Sequence, residues 1–172
     1  MLNYNIRVSG IKDGNHEHIF NIDDKFFESF VGSDVTNSII KVNCNLYKDG
    51  NKLKLSLKIT GNILNFNCDL CASPINLPIK NSINVILEKT DREVEDTDEI
   101  LYIQTNQSHL NVSHLIYECI ILSIPSKIEH SGAENDRCNK EMILLLDKYA
   151  NKERKNDPRW DNLKKIKDII QK

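Results

Sequence analysis

This sequence predicts an α+β fold. It has a mainly antiparallel sheet, open or barrel-like, in the N-terminal two-thirds and a helical C-terminal third. Three observations carry the expectation. Apolar residues recur with period two through the first hundred positions and with a period near 3.6 afterwards. An Asp49-Gly50 step joins two alternating stretches, a strong hairpin signal. Pro125 and several capping residues punctuate the remainder as helices. A single domain is expected over 1–172, mainly β in 1–104 and mainly α in 105–172.

The elements follow in order. Leu2, Tyr4, Ile6 and Val8 alternate as in a strand. Asp23 or Asp24 can cap a short helix that turns Phe26, Phe27, Phe30 and Val31 toward a core, and Gly32 ends it. Residues 38–47 and 52–59 form the arms of the hairpin around Lys48-Asp-Gly-Asn51, with Leu53, Leu55, Leu57 and Ile59 inward. A further strand over 62–67 is expected after a kink at Gly61, and another over 78–89 through Ile79, Ile83, Val85 and Leu87. The acidic stretch 91–99 reads as a mobile loop, and 100–104 as a short edge strand. Val112, Leu115, Ile116, Cys119, Ile120 and Ile124 fit a helix capped by Asn111 and stopped by Pro125. A polar loop holds His130. Asn139 then caps a helix with Met142, Leu145, Leu146 and Tyr149 inward. Asp157-Pro158 opens a last helix that buries Trp160, Leu163, Ile166 and Ile170.

Composition narrows the function classes. Apolar residues are 40 % of the chain, enough for a core, yet no window approaches the roughly 20 apolar residues of a bilayer span. The start, Met1 to Arg7, lacks a basic end followed by an apolar stretch, so a cytoplasmic protein is expected. The five cysteines are then thiols or metal ligands. A net charge of −2 hides an asymmetry: residues 88–99 carry seven acids against two bases, and 148–172 carry nine bases against four acids. A basic end on a near-neutral chain suits an anionic partner such as RNA; the plain alternative is a solvated helix face.

Cys68-Asp-Leu-Cys71 is the most specific chemical signal. Downstream, His130 and Cys138 complete two close ligand pairs, with 58 residues between Cys71 and His130. Two soft ligands from a tight turn and two from a distant loop can hold Zn²⁺ tetrahedrally. The alternatives are a redox dithiol, which needs a helix where this chain has a strand, or unrelated surface residues. Cys44 and Cys119 alternate with apolar neighbours and read as core thiols. His16, His18, His109 and His114 form no metal signature and are expected to face solvent. The six glycines make no phosphate loop, and no nucleophile motif is present, so no enzyme is expected.

Together, Cys68-Asp-Leu-Cys71 after a strand, the acidic segment, the stretch Leu110 to Pro125 ending in Ile-Pro, the polar loop and Asn156-Asp-Pro-Arg-Trp160 with Leu163 resemble the YceD family over roughly residues 15–170. Its members are called large ribosomal RNA subunit accumulation proteins. The resemblance implies a bacterial cytoplasmic or plastid factor without defined catalysis. Its partner would be large-subunit ribosomal RNA or a large-subunit ribosomal protein, with no membrane and no small-molecule substrate. Some relatives look richer in cysteine after the Leu-Pro step, which favours a metal clip; here only His130 and Cys138 stand in that loop. Arg154, Lys155, Arg159, Lys164, Lys165 and Lys167 are the candidate phosphate contacts. The rival expectation is an adaptor that grips a basic protein through its acidic segment.

Overall fold

Three long antiparallel strands, β3 (Ser38–Asp49), β4 (Lys52–Asn67) and β5 (Pro74–Lys89), form the centre of the molecule. The structure is a computed structural model that describes residues 4–33, 35, 37–92, 94–131 and 137–150. Their period-two patterning is why they pair in this register: Val42, Cys44, Leu46, Leu55, Leu57 and Ile59 all face one side and are fully buried.

Two further strands complete the sheet in the order β2-β3-β4-β5-β6. β2 (Gly14–Ile22) is antiparallel to β3, whereas β6 (Ile100–Ile103) is parallel to β5. The fold is therefore α+β with a mostly antiparallel sheet. β1 (Asn5–Arg7) pairs instead with β7 (His109–Asn111) in a separate two-stranded ribbon. That pairing is why the barrel-like alternative does not hold. The N-terminal strand goes to the ribbon, β6 pairs over four residues only, and β2 and β6 remain open edges among the described residues.

The inner sheet face is covered by the ribbon, by α1 (Asp24–Phe27) and by α2 (Ser113–Ile121), which packs on β4 and β5. Ile6, Val8, Phe26, Ile116, Cys119 and Ile120 close the core. Phe30 stacks on Tyr117 at 4.2 Å, which fastens the chain after α1 to α2. A last helix, α3 (Lys140–Ala150), follows the polar loop.

Several local expectations need correction. Val31 is fully exposed, because α1 ends at Phe27 and the chain turns away before it. Asp24 ties that turn to the sheet by accepting a hydrogen bond from the Ser38 amide at 2.8 Å. α2 starts at Ser113; Asn111 still supplies the acceptor for its first amide, at 2.9 Å. On α3 none of the residues is buried, so Met142, Leu145, Leu146 and Tyr149 do not face a core among the described residues. Periodicity reports an apolar stripe, not what covers it. The expected cover, Trp160, Leu163, Ile166 and Ile170, lies outside the described residues.

The kink also moves. β4 runs unbroken through Gly61, and its register shifts between Ile63 and Phe66, where Asn65 adopts a φ of 57°. Gly61 has a different role, since a Cβ there would run into the backbone of Ile39 and Ile40 on β3. Gly61→Ala should therefore cost roughly 1–3 kcal/mol through overpacking. A lowered urea midpoint at unchanged slope would show it, and an unchanged midpoint would contradict the close strand approach.

Candidate metal centre

The turn between β4 and β5 is built around Cys68 and Cys71. The Cys68 amide donates to the Ser73 carbonyl at 3.0 Å, and the Ala72 amide donates back to the Cys68 carbonyl at 2.9 Å. Ala72 takes a φ of 55° to close the turn. Both cysteines are buried. His130 and Cys138 approach from the loop between α2 and α3, and the structure brings all four residues together.

The spacing is that of a coordination shell. Cys68 Sγ lies 3.8 Å from Cys138 Sγ. His130 Nδ1 lies 3.6 Å from Cys71 Sγ and 3.6 Å from Cys138 Sγ. All four ligand atoms fall within 4.8 Å of one another. Zinc takes thiolate bonds of about 2.3 Å and imidazole bonds of about 2.0–2.1 Å. A regular tetrahedron of such bonds has sulfur–sulfur edges of about 3.8 Å and sulfur–nitrogen edges of about 3.6 Å. The residues present thus fit Zn²⁺ in both donor chemistry and size. Among the described residues no other group of His, Cys, Asp or Glu closes to this spacing.

Backbone amides prepare the sulfurs. Burial works against the Cys68 thiolate, but the amides of Cys71, Leu70 and His130 point at its sulfur and bring the thiol down to about 7. The Cys71 thiol is lowered chiefly by the Asn139 amide, with Ser73 adding to it against the burial cost. Cys138 goes the other way, up to about 11, because it is desolvated and lies against the other two sulfurs. A third negative charge there calls for a cation. Cys44 and Cys119 are in contrast ordinary core thiols, raised by burial to about 12 and about 11.

Asn139 couples the centre to α3. Its amide faces the Cys71 sulfur, while its side chain accepts from the Glu141 amide at 2.9 Å and caps the helix.

Asp69, between the two cysteines, is the residue that ligand spacing alone misses. Its amide donates to the Ile128 carbonyl at 2.8 Å, and its Oδ2 accepts from the Ile128 amide at 2.6 Å. This reciprocal pair locks the turn onto the loop two residues before His130, and Ile128 itself joins the core. The available signal was an acidic acceptor placed in a tight turn.

The remaining candidates lie elsewhere. His16 and His18 are half-buried on β2, and His16 Nε2 lies 2.8 Å from the Lys12 carbonyl; His109 and His114 are exposed. Arg154, Lys155, Arg159, Lys164, Lys165 and Lys167 lie outside the described residues.

The profile of a family described as large ribosomal RNA subunit accumulation protein YceD matches residues 55–167, well over half of the chain. The chain belongs to the YceD family. No curated protein and no solved structure matches it significantly. The YceD match spans the cysteine turn, the acidic segment, α2 and the His130–Cys138 loop, so all four ligands fall inside it.

Two outcomes follow. Removing metal with a strong chelator should lower the melting temperature and loosen residues 126–139 before the sheet, as followed by hydrogen exchange. Asp69→Ala should cost about 1–2 kcal/mol and weaken zinc binding by about 10- to 100-fold, as measured by competition with a chromogenic chelator.

Proposed function

We propose that this chain is a non-catalytic assembly factor that binds large-subunit ribosomal RNA in the cytoplasm, residues 1–172 acting as one unit. Zn²⁺ held by Cys68, Cys71, His130 and Cys138 serves it as a structural clip. Membership of a family described by the accumulation of that RNA is the observation that carries the reading. The geometry of the centre supports its non-catalytic half. Four protein ligands fill a tetrahedral shell, whereas catalytic zinc keeps a position open for water or substrate. Among the described residues no helix is long and apolar enough to cross a membrane. Arg154, Lys155, Arg159, Lys164, Lys165 and Lys167 are proposed phosphate contacts, each lowering the salt slope of binding by about one unit or less when neutralised.

One observation favours a second reading, in which the partner is a basic large-subunit ribosomal protein. A groove of about 580 Å³ runs between β5, α2 and the acidic crossover, and Asp96, Asp98, His114 and Glu118 line it. Such a groove suits a lysine or arginine side chain. Part of the acidic segment is already committed, however. Asp96 Oδ1 accepts from the Tyr102 amide at 2.7 Å, and Asp91 Oδ1 accepts from the Thr105 amide at 3.3 Å. These carboxylates hold the parallel crossover between β5 and β6 in place, which makes the segment a structural connection more than a free acidic arm.

Crosslinking in the native cell, followed by sequencing of bound RNA and identification of bound proteins, separates the two. The RNA reading expects large-subunit ribosomal RNA enriched over small-subunit RNA, and unchanged in the Asp98→Asn/Glu118→Gln variant. Recovery of a basic protein alone, lost in that variant, would replace it with the adaptor.

A further inference from the structure

We infer that the outward face of the sheet, around Lys41, Lys58 and Lys80, is a surface that receives the phosphate backbone of double-helical RNA, in addition to the C-terminal contacts proposed above. The inference rests on the RNA reading above and names a further surface for it. Strand register aligns the relevant side chains in two adjacent cross-strand rows. One row runs Asn21, Lys41, Thr60, Lys80 across β2, β3, β4 and β5. The next runs Ile19, Asn43, Lys58, Ser82. All eight are exposed, as the alternation with the buried set requires.

Neither row contains a carboxylate. Beyond them toward the cysteine turn stand Ile39, Asn62 and Pro78, again without an acid. Among the described residues none of the three lysines forms an ion pair. Apart from the exposed Ile19 and Ile39, their neutral neighbours in the rows are amides and hydroxyls, which can donate to phosphate and ribose oxygens. The carboxylates of this face border the two rows without entering them: Glu17 shares a depression with Ile19, Asn43 and Lys58, and Glu99 borders Ser56 and Asn84. Glu17 stands on the edge strand in the next row, opposite Asn45, and Asp49 and Glu88 flank Lys52 at the far end. The acidic crossover also leaves β5 at that far end, after Lys89. The two rows thus form an acid-free basic strip across the sheet, with mixed charge on the side of Lys52 and Lys54.

The composition of the face selects the form of RNA. Sheets that bind single strands stack bases on several aromatic rings. Here Tyr47 is the one large exposed aromatic of the outward face among the described residues, and it stands opposite Lys54, outside the two acid-free rows. Lysines with small polar neighbours meet a regular phosphate backbone without reading bases.

The test compares three full-length zinc-loaded proteins on purified bacterial large-subunit ribosomal RNA. They are the wild type, the Lys41→Gln/Lys58→Gln/Lys80→Gln variant, and Lys12→Gln/Lys25→Gln/Lys89→Gln as a control with the same charge change on exposed lysines elsewhere. Matching melting temperatures and zinc contents establish that all three are folded. The sheet variant should bind about tenfold or more weakly, with a salt slope smaller by about two to three, while the control stays within about twofold of wild type. Wild-type binding with an unaffected sheet variant would overturn this inference and leave the RNA reading standing. Equal competition by a single-stranded homopolymer would overturn the choice of double-helical RNA. Absence of RNA binding by the wild type would remove the reading itself, and the inference with it.

Discussion

Four potential ligand atoms drawn from two distant stretches of chain converge on one point, and that convergence joins the loop after α2 to the end of the sheet. The turn ending β4 supplies two sulfurs; the loop after α2 supplies an imidazole and a third sulfur. A cation there closes a long chain segment at one stroke, which opposes the closure entropy that would otherwise leave the loop loose. The Asp69–Ile128 pair sets the approach of the two backbones, so the ligands are already near their final spacing. Asn139 carries the same order into the first turn of α3.

This arrangement divides the labour within the molecule. The inner sheet face is spent on the core, under α1, α2 and the β1–β7 ribbon. The outer face is left exposed. The β4–β5 hairpin that carries the metal turn at its tip also carries Lys58 and Lys80 along its arms, so a rigid tip holds a charged platform in register. The acidic crossover sits at the opposite end, where its aspartates bond backbone amides. On the RNA reading proposed above, the feature that matters is fixed positive charge on a flat, acid-free strip of the sheet.

Much of this was legible in the residues. The Asp49-Gly50 hairpin and the buried alternation of β4 are local patterns, and local patterns survive into the fold. The meeting of Cys68, Cys71, His130 and Cys138 was legible because soft ligand types in close pairs are rare by chance. What escaped was non-local or inverted. β2 went unseen because its inward positions include His16 and His18, while Ile19 points out, so its pattern reads backwards at a half-covered edge. The pairing of β1 with β7, a hundred residues away, has no local signature, and it is what keeps the sheet open. The irregularity near Asn65 was misplaced at Gly61, because glycine can signal either a bend or a close approach. The stripe on α3 announced a helix without a partner.

X-ray absorption at the zinc edge of protein purified without added metal tests the central claim most directly. The account predicts one zinc per chain with three sulfurs at about 2.3 Å and one nitrogen at about 2.0–2.1 Å. A fully folded protein without metal, or a zinc bound mainly by oxygen, would contradict it.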